Sequence, residues 1–323
     1  GLTNGGSKSY SDVFGETLCQ IAEKDEKICA ITAAMQLGTG LSSFAQKYKS
    51  RFFDVGIAEE HAVTFGCGLG MGGMIPVFAV YSTFLQRSYD QIIHDASIQK
   101  LHIILAIDRA GIVGEDGKTH QGLFDTSFLN NIPNVTILCP SYFDELRFML
   151  KNAIYNESEI VAVRYPRGRE LYKPKNFLIK DSKYVFFGDE KSDILIITYG
   201  RLFSFACECM ERLEKQGISA CILKLNTVKP IDSSAVIGAK DFKYCFFFEE
   251  GISCGGIGEH FLCKLIENDF TGKYTLTAID DQYVEQSTVA SALKKYKLDT
   301  DGMEEVILKK IKCDGELCGK EKT

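Results

Sequence analysis

Two carboxylates stand side by side where an apolar strand gives way to a helix. The stretch is Phe52-Phe53-Asp54-Val55-Gly56-Ile57-Ala58-Glu59-Glu60-His61-Ala62-Val63; it starts extended, breaks at Gly56, and carries Glu59 and Glu60 in the first helical turn. A carboxyl at such a junction can act as a buried acid or base. Acids in a first turn are also favoured by the helix macrodipole alone. The helix continues with glycine at 66, 68, 70 and 72. Each glycine costs about 0.5–1 kcal/mol relative to alanine, so the run predicts that a backbone or a ligand approaches this helix closely.

The elements that must position these groups alternate. Strands are expected at 28–32, from Phe52, and at 75–80, 101–107, 135–138 and 160–163. Helices are expected at 10–22, 42–47, 83–98 and 142–155, with a long loop over 112–134. Strand–helix alternation implies a parallel sheet covered on both faces, whose ligands bind beyond the carboxyl ends of the strands. Glu59, Tyr81, Arg109 and Arg167 each follow a strand, so one mouth can collect them. A polar stretch at 169–183 reads as a linker. Strands at 194–199, 220–225, 244–249 and 274–279 follow, with helices at 203–216, 256–266, 288–296 and 303–312. The expected fold is therefore α/β with two domains, 1–180 and 181–323, each a mainly parallel sheet flanked by helices. The second carries few chemistry-bearing residues beyond Glu249-Glu250 and reads as structural or oligomerising.

Composition excludes several classes. A net charge of −6 without a basic run argues against nucleic acid as a partner. No apolar stretch reaches the roughly 20 residues of a membrane span. The start, Gly1 to Ser7, has neither a basic nor an apolar signal region and reads as a linker at a domain boundary. Twelve cysteines include no C-x-x-C, so most of them read as reduced core residues of a cytoplasmic protein, and no protein-only metal site is expected. The tail from Asp314 reads as frayed.

Five segments in this order are specific: 54–63 as quoted, Tyr81-Ser82-Thr83-Phe84-Leu85-Gln86-Arg87, Asp108-Arg109-Ala110-Gly111, Asp116-Gly117-Lys118-Thr119-His120-Gln121-Gly122, and Arg164-Tyr165-Pro166-Arg167-Gly168. Together they resemble the thiamine-diphosphate enzymes of the transketolase superfamily, and within it the 1-deoxy-D-xylulose-5-phosphate synthase family. The likeness spans nearly the whole chain and is strongest over 9–168. It implies a pyrimidine-binding domain followed by a transketolase C-terminal domain. The Gly-Asp-Gly signature that holds the diphosphate and Mg²⁺ does not occur in these 323 residues. The expectation is a fragment or one half of a split enzyme, inactive without the diphosphate-binding domain.

The resemblance also assigns roles. Glu59 would bond N1′ of the aminopyrimidine, Phe84 would stack on that ring and Arg87 would flank it. Met35 and Ile57 would be apolar props below the cofactor. His120 would act as general acid/base or orient a substrate hydroxyl. Arg109 and Arg167 offer planar forks suited to a phosphate, and Tyr81 and Asp116 would hold substrate hydroxyls. Plainer readings stay open: helix packing for Phe84, a surface charge for Arg87, and a structural ion pair for Asp116. The family pattern is altered at Ala33, Glu60 and Glu285-Gln286-Ser287. The implied reaction condenses pyruvate with glyceraldehyde 3-phosphate, in a homodimer, toward isoprenoid and thiamine precursors. The alternatives are half of a split transketolase, a 2-oxoacid dehydrogenase β-subunit, or a non-catalytic module.

Overall fold

The computed structural model describes residues 8–313, so the segments expected as an N-terminal linker and a frayed tail lie outside the described residues. In the first part α1 (Tyr10–Ala22), β1 (Ile28–Thr32), α2 (Ser42–Lys47), β2 (Phe52–Asp54), α3 (Glu59–Met71) and β3 (Ile75–Tyr81) follow one another. After β3 come α4 (Ser82–Leu85), α5 (Tyr89–Gln91), β4 (Ile103–Asp108), α6 (Asp125–Asn130), β5 (Val135–Leu138), α7 (Phe143–Tyr155) and β6 (Ile160–Arg164). The second part holds β7 (Tyr184–Gly188), β8 (Ile194–Tyr199), α8 (Leu202–Lys215), β9 (Cys221–Leu225), β10 (Thr227–Lys229) and α9 (Ser233–Ala239). It ends with β11 (Tyr244–Ile252), α10 (Ile257–Glu267), β12 (Lys273–Ile279), α11 (Val289–Lys295) and α12 (Thr300–Cys313).

Two sheets result, with strand orders β10-β5-β6-β4-β3-β1-β2 and β12-β11-β8-β9-β7. Pairing is parallel except at β10 on β5 and β7 on β9. The architecture is thus α/β in two domains, each a mainly parallel sheet between helices. Every residue of β1, β4 and β6 is buried, which central parallel strands covered on both faces require. The strand β10 lies after the second sheet has begun, yet it adds an edge strand to the first, so the two layers are stitched together.

Four sequence expectations change. The helix expected over 83–98 is broken: α4, a 3₁₀ turn at Gln86–Ser88, α5 and a π-helical turn at Ile92–Ser97 take its place. Ser88 donates its hydroxyl to the carbonyl of Leu85 at 2.8 Å, and such back-bonding competes with the regular ladder. The loop expected over 112–134 contains α6, anchored by the buried Asp125 on Arg164. The strands β7 and β10 and the helix α9 escaped the periodicity altogether. Along the glycine run of α3 the tightest approach is at Gly66. A Cβ on Gly66 would lie 2.8 Å from Ile103 Cδ1 and 3.2 Å from Ile31 Cδ1, whereas nothing lies within 4 Å at Gly68.

Candidate functional site

The carboxyl ends of β2, β3, β4 and β6 deliver the residues to one mouth. At the end of β2, Asp54 Oδ1 accepts from the N–H groups of Ala34 at 2.8 Å and Gly56 at 3.0 Å. Gly56 has φ +74°, a turn that glycine takes without strain. That turn starts α3 at once, so Glu59 is its first residue and sits 1% exposed at the positive end of the helix. Arg87, from the 3₁₀ turn after α4, donates Nη1 to Glu59 Oε1 at 2.8 Å. The second oxygen, Oε2, is buried and has no hydrogen-bond partner among the described residues.

Aromatic contacts carry the site onward. Arg87 Cζ lies 4.8 Å from the ring centre of Phe84, a cation–π contact. Phe84 stacks on Tyr81 at 6.1 Å and meets the His120 ring edge-on at 5.3 Å. The Arg109 guanidinium covers the other end of this row, 3.8 Å from the Tyr81 ring centre. Met35 is buried beneath, its sulfur accepting from the Tyr81 N–H at 3.4 Å. Ile57, expected as a second apolar prop, is 78% exposed. Beside Phe84 and Arg87 opens a cleft of about 640 Å³, also lined by Thr83, Thr119, Gln121 and Tyr283.

Asp116 joins the two phosphate candidates. Its Oδ2 accepts from Arg109 Nη1 at 2.9 Å and from Arg167 Nη1 at 3.1 Å. The ion-pair reading of Asp116 is what the contacts show: the carboxylate holds both forks side by side and leaves a net positive cluster. Arg109 has φ +58°, in the left-handed region that non-glycine residues seldom adopt, immediately after β4. His120 is half-buried, with Nδ1 2.9 Å from the Thr119 hydroxyl, and Thr83 donates to the Thr119 carbonyl at 2.9 Å. Burial pushes the Tyr81 phenol upward despite the adjacent Arg109.

Several residues of this region escaped the sequence reading. Asp108, behind Arg109, is fully buried, accepts from the Ser11 hydroxyl at 2.6 Å and has Oδ1 unpartnered; burial raises its carboxyl to about 7. Arg164 bonds Asp125 at 2.8 Å in the core. Arg201 and Glu250 come from the second sheet. The visible signal was the pair Glu249-Glu250 at the end of an apolar strand, but nothing in the sequence told which partner each would find.

The geometry can be set beside known proteins. The model of the transketolase pyrimidine-binding domain matches residues 7–171, and that of the transketolase C-terminal domain residues 184–303. The chain belongs to the transketolase family. Within it, the 1-deoxy-D-xylulose-5-phosphate synthase of Caldanaerobacter subterraneus subsp. tengcongensis is 43% identical over 312 residues, 95% of this chain and 50% of that protein. The synthase of Clostridium tetani is 44% identical over 307 residues, 94% of this chain and 48% of that protein. The chain therefore spans about half the length of the curated relatives it matches. Among solved structures, one described as a split gene transketolase, inactive β4 tetramer, aligns with a TM-score of 0.81 at 22% identity, covering 94% of this chain and 98% of that one. The Campylobacter jejuni transketolase aligns at 0.76 and 15% identity, covering 96% of this chain and 48% of that one. These two likenesses concern the fold. No helix among the described residues is long and apolar enough to cross a membrane.

The transketolase cofactor is thiamine diphosphate, and one observation tests whether the residues here fit it. A buried carboxylate oxygen without a partner costs free energy unless something supplies a donor. Glu59 Oε2 is such an oxygen, and Arg87, which bonds the other oxygen, also lies over the half-exposed Phe84 ring. An aminopyrimidine offers a ring nitrogen that can share a proton and a flat face that can stack. The residues fit that ring.

Proposed function

We propose that this chain supplies the aminopyrimidine-binding and acceptor-binding half of a thiamine-diphosphate transferase. The reaction is the condensation of pyruvate with D-glyceraldehyde 3-phosphate to 1-deoxy-D-xylulose 5-phosphate with release of CO₂, a step toward isoprenoid and thiamine precursors. The observation that carries the reading is the unpartnered Oε2 of Glu59 beside Phe84 and Arg87. When bound, thiamine diphosphate supplies the nucleophilic carbon and the electron sink that decarboxylation of a 2-oxo acid requires.

The chain's own residues have separable tasks. Glu59 holds a proton at N1′ through Oε2, while Arg87 fixes Oε1 and keeps the carboxyl in place. Phe84 offers its face to the ring. His120, whose ring meets Phe84, is the group we assign to move a proton on or off a substrate hydroxyl. Arg109 and Arg167, spaced by Asp116, present a positive cluster for the acceptor's phosphate. The diphosphate and its Mg²⁺ belong to a domain bearing the Gly-Asp-Gly signature, which is not among these residues.

A substrate panel with the diphosphate-binding domain supplied tests the assignment. Pyruvate with glyceraldehyde 3-phosphate is expected to be turned over in preference to ketose donors such as xylulose 5-phosphate. Preference for the ketose would make the chain half of a transketolase proper.

A further inference from the structure

Two of the candidate site residues, Asp116 and His120, share one loop, and that loop is closed on itself. Gly111 and Gly122 exchange both backbone hydrogen bonds, at 2.7 and 2.8 Å, so residues 111–122 leave the sheet and return to the same point. Asp116 and His120 sit on this excursion. Within it, Gln121 Oε1 accepts from the N–H groups of Val113 and Gly114, a turn stabilised by its own side chain. The anchor points lie elsewhere.

At the base, Glu250 Oε1 accepts from the Ile112 N–H at 2.6 Å, and Arg201 Nη2 donates to the Ile112 carbonyl at 2.7 Å. Arg201 Nε also donates to Glu250 Oε2 at 2.8 Å. One buried ion pair therefore grips both peptide groups of a single residue. Glu250 is 4% and Arg201 7% exposed. Arg164 adds donations to the carbonyls of Gly122 at 3.2 Å and Glu250 at 3.1 Å. The fit is close: a Cβ at Gly111 would overlap the Glu250 carboxyl group. At the tip, Gln286 donates to the Glu115 carbonyl at 2.9 Å, and Lys118 pairs with Glu285 at 2.8 Å.

A buried ion pair is weak evidence for stability, because desolvation offsets most of its attraction. Fixing a geometry is what such a pair does well when its remaining donors and acceptors meet backbone. We propose that the C-terminal domain is a positioning device for the site. The Arg201–Glu250 pair at the base and Gln286 at the tip hold loop 111–122 so that Asp116 keeps Arg109 and Arg167 aligned and His120 keeps its contact with Phe84. Arg201, Glu250 and Gln286 are positioning residues, and the proposal rests on the functional reading above only for its kinetic consequence.

The test uses the chain itself first. Amide hydrogen exchange is compared in wild type, Glu250→Gln and Gln286→Ala. Glutamine keeps the shape of Glu250 and can still accept from Ile112, but it loses the charge that holds Arg201. Exchange at residues 112–120 is expected to quicken at least ~10-fold in Glu250→Gln and a few-fold near Glu115 and Asp116 in Gln286→Ala, with β3 and β4 unchanged, because local opening is separable from global unfolding. Unchanged loop exchange in either variant overturns the proposal, and so does acceleration spread evenly over the first sheet. Should Glu250→Gln not fold, Gln286→Ala decides alone, since its side chain is exposed. In the enzyme completed by its diphosphate-binding domain, Glu250→Gln is then expected to raise KM for glyceraldehyde 3-phosphate far more than KM for pyruvate. A loosened loop with an unmoved acceptor KM would leave the clamp standing and remove the phosphate role of Arg109 and Arg167.

Discussion

Arg87 reaches across from its 3₁₀ turn to one oxygen of Glu59 at 2.8 Å and leaves the other oxygen, buried, without a partner. The pair is asymmetric in burial: the glutamate side chain is 2% exposed and the arginine 47%. An exposed ion pair would be worth little. Here the acceptor is desolvated, so the donor matters more. Arg87→Met keeps the apolar stem over Phe84 but removes the last donor to Glu59. It is expected to destabilise the chain by roughly 1–3 kcal/mol, the cost of an unsatisfied buried acceptor. Adding Glu59→Gln should recover part of that loss. Denaturant unfolding of the single and double variants checks both expectations.

The two arginines on Asp116 make a second claim. If they receive the acceptor's phosphate, alanine at Arg109 or Arg167 should raise KM for glyceraldehyde 3-phosphate roughly 10-fold or more, since a charge-assisted hydrogen bond is worth about 1.5–3 kcal/mol and 1.4 kcal/mol is one decade. Pyruvate carries no phosphate, and its KM should move far less. Lysine should rescue only in part, because a point charge cannot reproduce the fork. Steady-state kinetics on both substrates decides. Equal losses would mean that these residues hold the fold instead.

How much of this was legible depended on what each residue answers to. The strands β1, β3, β4 and β6 and the helices α1, α3 and α7 were readable because their patterns report burial directly. The α4–α5 region was not, since Ser88 bonding back to Leu85 breaks the ladder without changing the apolar spacing. The strand β10 is three residues of an edge partner whose identity is set by tertiary pairing with β5. In the site, Glu59 drew notice from its place at a strand end, and the arrangement of Tyr81, Phe84, Arg109 and Asp116 at one mouth follows from parallel strands ending together. The Arg201–Glu250 pair was not legible. Its partners are peptide groups 89 and 138 residues away, and no spacing rule spans such distances.

The glycines of α3 separate close approach from mere permissiveness. Gly66→Ala places a methyl group 2.8 Å from Ile103 and 3.2 Å from Ile31 in a packed core. Overpacking of that kind costs about 1–3 kcal/mol, more than the roughly 0.5–1 kcal/mol gained in helix propensity. Net destabilisation is expected. Gly68→Ala meets nothing of this chain and should stabilise it by most of the propensity term. Thermal melting of both variants tests the contrast. A destabilised Gly68→Ala would contradict the packing described here.

Asp108 makes stability depend on pH in an unusual direction. Burial, set against the Ser11 hydroxyl and the charges of Arg109 and Arg167, raises its carboxyl to about 7. The folded state then binds more protons than the unfolded state between about 4 and 7, so this group's contribution falls as pH rises through that window and levels off above it. Asp108→Asn removes the titration. The variant's melting temperature should lose less than the wild type's between pH 6 and pH 8. Parallel pH profiles for the two proteins would show that Asp108 does not titrate there.

The free oxygen of Glu59 carries the aminopyrimidine assignment. Glu59→Gln preserves size and can still face Arg87 through its carbonyl, but it cannot hold a proton at N1′ in the way a carboxyl does. In the enzyme completed by its diphosphate-binding domain, turnover of pyruvate and glyceraldehyde 3-phosphate should fall at least ~10²-fold, the scale of a general acid/base contribution, with the fold intact. Turnover near that of the wild type would contradict the assignment of this chain as the aminopyrimidine-binding half.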